Sequence, residues 1–218
     1  MAAGAFAALL LGATPAVAAE AAGTARAGER LDREMTLQRG TQAVIWGLPT
    51  VSMVALRHGT ERDLGATAND IVCMSQPLVA RHAFLTANNQ TPYVLTLLDT
   101  RSGPVVVDVP PASAKAVFFG SAIDAWQVPV ADMGPQGDDA GKGGGYLFLP
   151  PGHDQPVPDG YRVYRPATYH VCIALRPVAI GGGTLQDAVD YSKRLKAYPL
   201  AQDANPVPNR CIDAFPKA

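Results

Sequence analysis

The residues best suited to chemistry lie in the segment Thr86-Ala87-Asn88-Asn89-Gln90-Thr91-Pro92-Tyr93. No other stretch packs so many uncharged hydrogen-bonding side chains into so few positions. Asn88, Asn89 and Thr91 offer neutral donors and acceptors, and Tyr93 adds a ring and a hydroxyl, a set suited to ligand binding. Turn chemistry is the competing reading, because Asn side chains bond neighbouring backbone and tolerate left-handed geometry. Asn89-Gln90-Thr91 also fits a glycosylation sequon, weakened by the Pro92 that follows it. A second candidate pair is Asp124 and Trp126, a carboxylate and an indole that share a face if their segment is a strand. A core Trp beside a surface Asp is the plain alternative.

Other chemistry-bearing patterns fail on spacing. In the run from Gly137 to Gly145, Gly137 stands one position too close to Lys142 for a phosphate loop, and glycine replaces the metal-binding hydroxyl after the lysine. The run reads as a mobile surface loop ahead of a strand. Its Asp138 and Asp139 lack the alternating oxygen ligands of a calcium loop. His58, His82, His153 and His170 are far apart, and only His170 has a partner nearby, Cys172 on the same strand face. A packed pair is the expectation there rather than a metal site. Neither G-x-S-x-G nor H-E-x-x-H occurs. No catalytic residue is assigned, and no metal or cofactor is expected.

The elements that must hold these residues change character along the chain. From Glu34 to Arg57 apolar residues recur at helical intervals, with Pro49 expected to end or kink the helix near Leu48 and leave a broken pair of helices. Residues 19–33 are small and polar and read as a flexible leader. Beyond Asp70, short apolar runs alternate with Pro/Gly punctuation: 93–98, 105–109, 116–119, 146–149, 161–164 and 169–175. The first two read as a hairpin. Many short strands argue for an antiparallel sandwich or barrel. One late helix is well marked, with Thr184 and Asp187 placed as a capping box and Leu185, Ala188, Val189 and Leu195 as its buried stripe. Residues 34–200 are expected to form one domain, with 201–218 as a tail or linker.

The first 18 residues carry no charge, and Ala16-Val17-Ala18 fits a signal-peptidase site. Residues 1–18 are therefore expected to be a signal peptide, which places the protein in the periplasm or outside the cell. No other stretch is apolar enough to span a membrane. A net charge of −1 offers no field for nucleic acid or acidic lipid. Cys73, Cys172 and Cys211 are an odd count for an exported chain. A Cys172–Cys211 bridge, tying the tail to the body, is one reading. Three unpaired, small apolar side chains is the other.

Five segments in order resemble the exported bacterial family named domain of unknown function 1254. They are Gln42 to Pro49, Thr86 to Tyr93, Gly120 to Trp126, Gly144 to Gly152, and Tyr169 to Arg176. The resemblance implies N-terminal helices followed by an immunoglobulin-like β-sandwich, mainly β overall, with the late helix appended. The family's motif reads Asn-Asn-Asp-Thr-x-Tyr, and here Gln90 stands where the acid belongs. An amide cannot ionise, so a general base at that position is lost. Typical members continue into a jelly-roll domain, numbered 1214. The partner implied here is therefore a separate jelly-roll protein or a second copy of this chain. Two functions follow as expectations: a periplasmic binding or assembly module, or a hydrolase- or lyase-like enzyme, metal-assisted in one form, with Asn88, Asn89, Thr91, Tyr93, Asp124 and Trp126 lining its pocket.

Overall fold

A computed structural model describes residues 15–82, 88–206 and 210–216. The chain forms two compact units, residues 1–48 and 49–218. Helix α1 (Pro15–Leu64) contributes to both. It takes in residues 19–33, where composition pointed to an irregular leader. It also continues through Pro49, where a break was expected. Proline removes one helical hydrogen bond, and contacts outside the helix hold the turn that follows. Thr50 Oγ1 donates to the Ala125 carbonyl at 3.0 Å. Gln127 Nε2 donates to the Pro49 carbonyl at 3.1 Å and to Ser52 Oγ at 2.7 Å. The boundary between the two units still falls at Leu48–Pro49.

The described strands are β1 (Ile71–Cys73), β2 (Val94–Asp99), β3 (Val105–Val109), β4 (Ala116–Asp124), β5 (Pro129–Met133), β6 (Gly144–Phe148), β7 (Arg162–Tyr164), β8 (His170–Ala179), β9 (Lys196–Pro199) and β10 (Cys211–Asp213). A short helix, α2 (Leu185–Ser192), stands between β8 and β9. Six strands form one sheet in the order β10-β1-β2-β8-β4-β5, and four form another in the order β7-β6-β3-β9. The fold is α+β and mainly β.

Both sheets are mixed, which corrects the antiparallel expectation. β1 runs parallel to β10, and β6 runs parallel to β7. Parallel neighbours need long connections, and the proline-bearing loop between Phe148 and Arg162 supplies one of them. The expected 93–109 hairpin is also absent. β2 pairs with β1 and β8, while β3 pairs with β6 and β9, so the turn at Thr100–Pro104 links the two sheets.

The alternation read along these strands is what joins the sheets. Val94, Leu98, Phe118, Ile173 and Leu175 of the larger sheet share one core with Val105, Val107, Tyr146 and Phe148 of the smaller. Burying each such side chain stabilises the fold by about 1.5–3 kcal/mol. α2 forms where its capping box placed it. Thr184 Oγ1 accepts from the Asp187 amide at 3.2 Å, and the Thr184 amide donates to Asp187 Oδ2 at 2.8 Å. Tyr191 anchors it, donating to the Pro110 carbonyl at 2.9 Å and packing on Phe118 with ring centroids 4.6 Å apart.

The disulfide joins Cys73 and Cys211, with Cα atoms 5.9 Å apart. The Cys172–Cys211 pairing is therefore corrected, and sheet order gives the reason. β1 and β2 lie between β10 and β8, so three strand spacings, about 14 Å, separate Cys211 from Cys172. A disulfide spans less than half of that. Cys172 is free and buried, and burial pushes its thiol up to about 12. The 201–218 stretch, read as a tail, contributes β10 to the sheet edge.

Candidate functional site

The polar segment closes on itself. Asn88 Nδ2 donates to Thr91 Oγ1 at 2.7 Å, and Asn88 Oδ1 accepts from the Gln90 amide at 2.9 Å. Asn89 Oδ1 accepts from Gln90 Nε2 at 2.8 Å. Thr86 and Ala87 lie outside the described residues. Tyr93 lies under the Arg176 guanidinium, 5.3 Å from the ring centroid. The Asp124 side chain is buried and turned to backbone work. Its Oδ1 accepts from the Trp126 amide at 2.9 Å and the Val128 amide at 3.0 Å. Trp126 itself is exposed.

These two groups do not converge. Strand register pairs Val94 with Leu175, next to Tyr93, but pairs Asp124 with Val171. Tyr93 and Asp124 are thus about five residue steps apart along the sheet, roughly 17 Å, with β8 between their strands. The Gly137–Gly145 loop is a built turn rather than an open one. Buried Asp139 accepts from the Gly134 amide at 2.8 Å and the Gly143 amide at 2.9 Å. At Gly143, φ is +67° and an added Cβ would sit 2.4 Å from the Val109 carbonyl oxygen, so only glycine fits.

The titratable groups that do gather lie where the second unit's part of α1 packs on the larger sheet. Asp99 and His170 face each other across β2 and β8. Arg57 reaches both from α1. It donates to Glu61 Oε1 at 2.7 Å, to His170 Nδ1 at 2.9 Å and to Asp99 Oδ2 at 3.5 Å. Arg101 forks onto Asp99, with Nε 2.9 Å from Oδ1 and Nη2 2.6 Å from Oδ2. The Arg101 hydrogen bond above all holds the Asp99 carboxyl down at about 2. Burial, then the Arg57 and Arg101 charges, lower His170 against the pull of Asp99. A ring nitrogen that accepts from Arg57 must carry a lone pair, so geometry and charge agree on a neutral imidazole. With two cations and two carboxylates the cluster balances itself. It can clamp α1 to the sheet, and its imidazole is placed to accept or donate a proton. Among the described residues, no three His, Cys, Asp or Glu side chains gather as metal ligands.

Beside this cluster, the same seam opens into an apolar cavity of about 270 Å3. Ala55, Leu56, Gly59 and Leu64 of α1 form one wall, and Val72, Met74 and Leu95 of β1, its exit and β2 form the other. Motif reading missed Arg57 and Asp99 and set His170 beside Cys172 alone, because three elements distant in sequence bring the cluster together. The faint signal was a polar pair, Asp99 and His170, at the ends of two mostly apolar strands.

No curated protein matches the chain. Among solved structures, the fold is similar to the VPA0106 protein from Vibrio parahaemolyticus, with a TM-score of 0.59 and 18% identity. The similarity covers 78% of this chain and 40% of that one, so the chain spans well under half the length of its structural relative. At this identity the likeness is one of fold alone. The family described as "Protein of unknown function (DUF1254)" matches residues 68–199, more than half of the chain, and the protein belongs to that family.

Proposed function

We propose that the protein is an exported binding or assembly module, built on an immunoglobulin-like scaffold and working in the periplasm or in secreted form. The observation that carries this reading is the apolar surface of the first unit. Leu37, Val44, Ile45 and Leu48 are 71%, 68%, 66% and 59% exposed, and Leu31 and Met35 join them. At 100° per residue these six side chains span half of the helix circumference. A helix that is apolar over so wide an arc is normally covered. Among the described residues, no helix is long and apolar enough to cross a membrane. The cover this reading assigns is protein.

A second copy of this chain is the favoured partner. Arg26, Glu29, Arg30, Asp32, Arg33, Glu34 and Arg39 alternate in sign along the same segment, a pattern complementary to itself. A separate jelly-roll domain is the other candidate. The Cys73–Cys211 disulfide is compatible with an extracytoplasmic address. Dispersal of the six sequence candidates also supports a module over an enzyme. The test is light scattering of the oxidised chain over a concentration series, alone and with a jelly-roll companion, and again for Ile45→Lys. Assembly that Ile45→Lys abolishes, with unchanged circular dichroism, is the expected outcome. A monomer under every condition would remove the reading.

A hydrolase- or lyase-like activity is the second reading, favoured by the Arg57–Asp99–His170 cluster alone. Turnover of an ester or glycoside panel that disappears in His170→Gln would raise it above the first.

A further inference from the structure

We propose that the cavity between α1 and the larger sheet is a binding site for a small, uncharged apolar molecule. The inference is independent of the assembly reading, because every lining residue lies in the second unit. Its volume, about 270 Å3, is well above the roughly 150 Å3 that holds benzene in an apolar protein cavity. That suits a two-ring hydrocarbon skeleton or a medium-length alkyl chain.

The sequence makes this space with small residues on the helix wall. Ala55 and Gly59 leave it open, and a Cβ built on Gly59 meets no atom within 4 Å. The facing wall of Val72, Met74 and Leu95 offers carbon and sulfur only. Met74 adds an adaptable thioether that fits variable shapes. Two polar side chains border the cavity, and both are already engaged. Thr60 Oγ1 donates to the Arg57 carbonyl at 2.8 Å. Asp63 is forked by Arg62 at 2.6 and 2.8 Å. No lining residue is a cation, so nothing in the wall pairs with an anionic head group. The occupant is therefore recognised by apolar contact, and charge is selected against.

The test uses N-phenyl-1-naphthylamine, an uncharged fluorophore, on the full oxidised chain, with 1-octanol and octanoate as competitors at a pH above 7. Saturable binding with one site per chain is expected, with displacement by octanol at least tenfold more effective than by octanoate. Gly59→Leu fills the cavity and should weaken the probe at least tenfold while leaving the fold intact. Ala55→Leu is the second filler, used if the first misfolds. Ile45→Lys should leave the probe's affinity unchanged, which separates this site from the exposed helix surface. Absence of saturable binding, equal competition by octanoate, or undiminished binding in a folded filler variant would each overturn the proposal.

Discussion

His170 and Asp99 make acid the natural lever on this protein. His170 is held below its ordinary value, so folding favours the neutral ring. Its contribution is complete above about pH 6.5 and is lost as acid protonates the folded imidazole. Asp99 is depressed from 3.8 to about 2, so its contribution is present above about pH 4 and disappears between about pH 4 and 2. Both losses run in the same direction. Stability should fall in two stages on acidification, and Asp99→Asn should erase the lower one. Arg101 is well exposed, so the cost of that variant at neutral pH is discounted to about 1 kcal/mol. Chemical denaturation at pH 7, 5 and 3 measures it, and superimposable wild-type and variant pH profiles would remove the clamp from the account. Asp139 is the other informative residue. Asp139→Ala strands two buried amides at about 1–3 kcal/mol each. A loss below about 1 kcal/mol in the same assay would show that the Gly134–Gly143 turn does not depend on it. Its role could not be read in the sequence, where two adjacent aspartates among glycines look like loop filling.

At the scale of elements, α2 was legible because capping is local: Thr184 and Asp187 are three residues apart, and so is the chemistry that joins them. The strands were legible as strands because alternation is also local. Their partners were not. Thr100–Pro104 has the composition of a hairpin turn, yet it carries the chain between sheets, since pairing is decided by edges formed elsewhere. α1 shows the converse. The helix runs through Pro49, and the Gln127 and Ala125 groups that bond its turn come from a loop almost 80 residues away. Those bonds make a prediction. Gln127→Ala should destabilise the second unit only slightly, by about 0.5–1.5 kcal/mol, while raising amide exchange in residues 50–56. Exchange that stays unchanged there would show that the turn holds itself. The disulfide belongs to this scale too. Cys211→Ser, which frees β10 from β1, should cost about 2–5 kcal/mol, whereas Cys172→Ser leaves the bridge intact and burdens the core with a hydroxyl. Equal behaviour of the two variants under reducing and oxidising conditions would contradict the assigned pairing.

For the molecule as a whole, the sequence pointed to N-terminal helices followed by a mainly β body, and a long N-terminal helix and a mainly β body are present. It could not announce which apolar residues of the first unit's helix are exposed, because periodicity shows that a helix has an apolar face without showing what covers it. Of the six candidates, Asn88, Thr91 and Asp124 make hydrogen bonds to near neighbours in their own turns, which a list of residue types does not show. The proposed function accordingly rests on the exposed apolar residues of the first unit. The most direct measurement is hydrogen–deuterium exchange of residues 31–48 over a hundredfold range of protein concentration. An uncovered helix segment exchanges fast. The account expects protection there to rise with concentration and to vanish in Ile45→Lys, while α2 and the core strands stay protected throughout. Fast exchange of residues 31–48 at every concentration, with or without a jelly-roll companion, would contradict it.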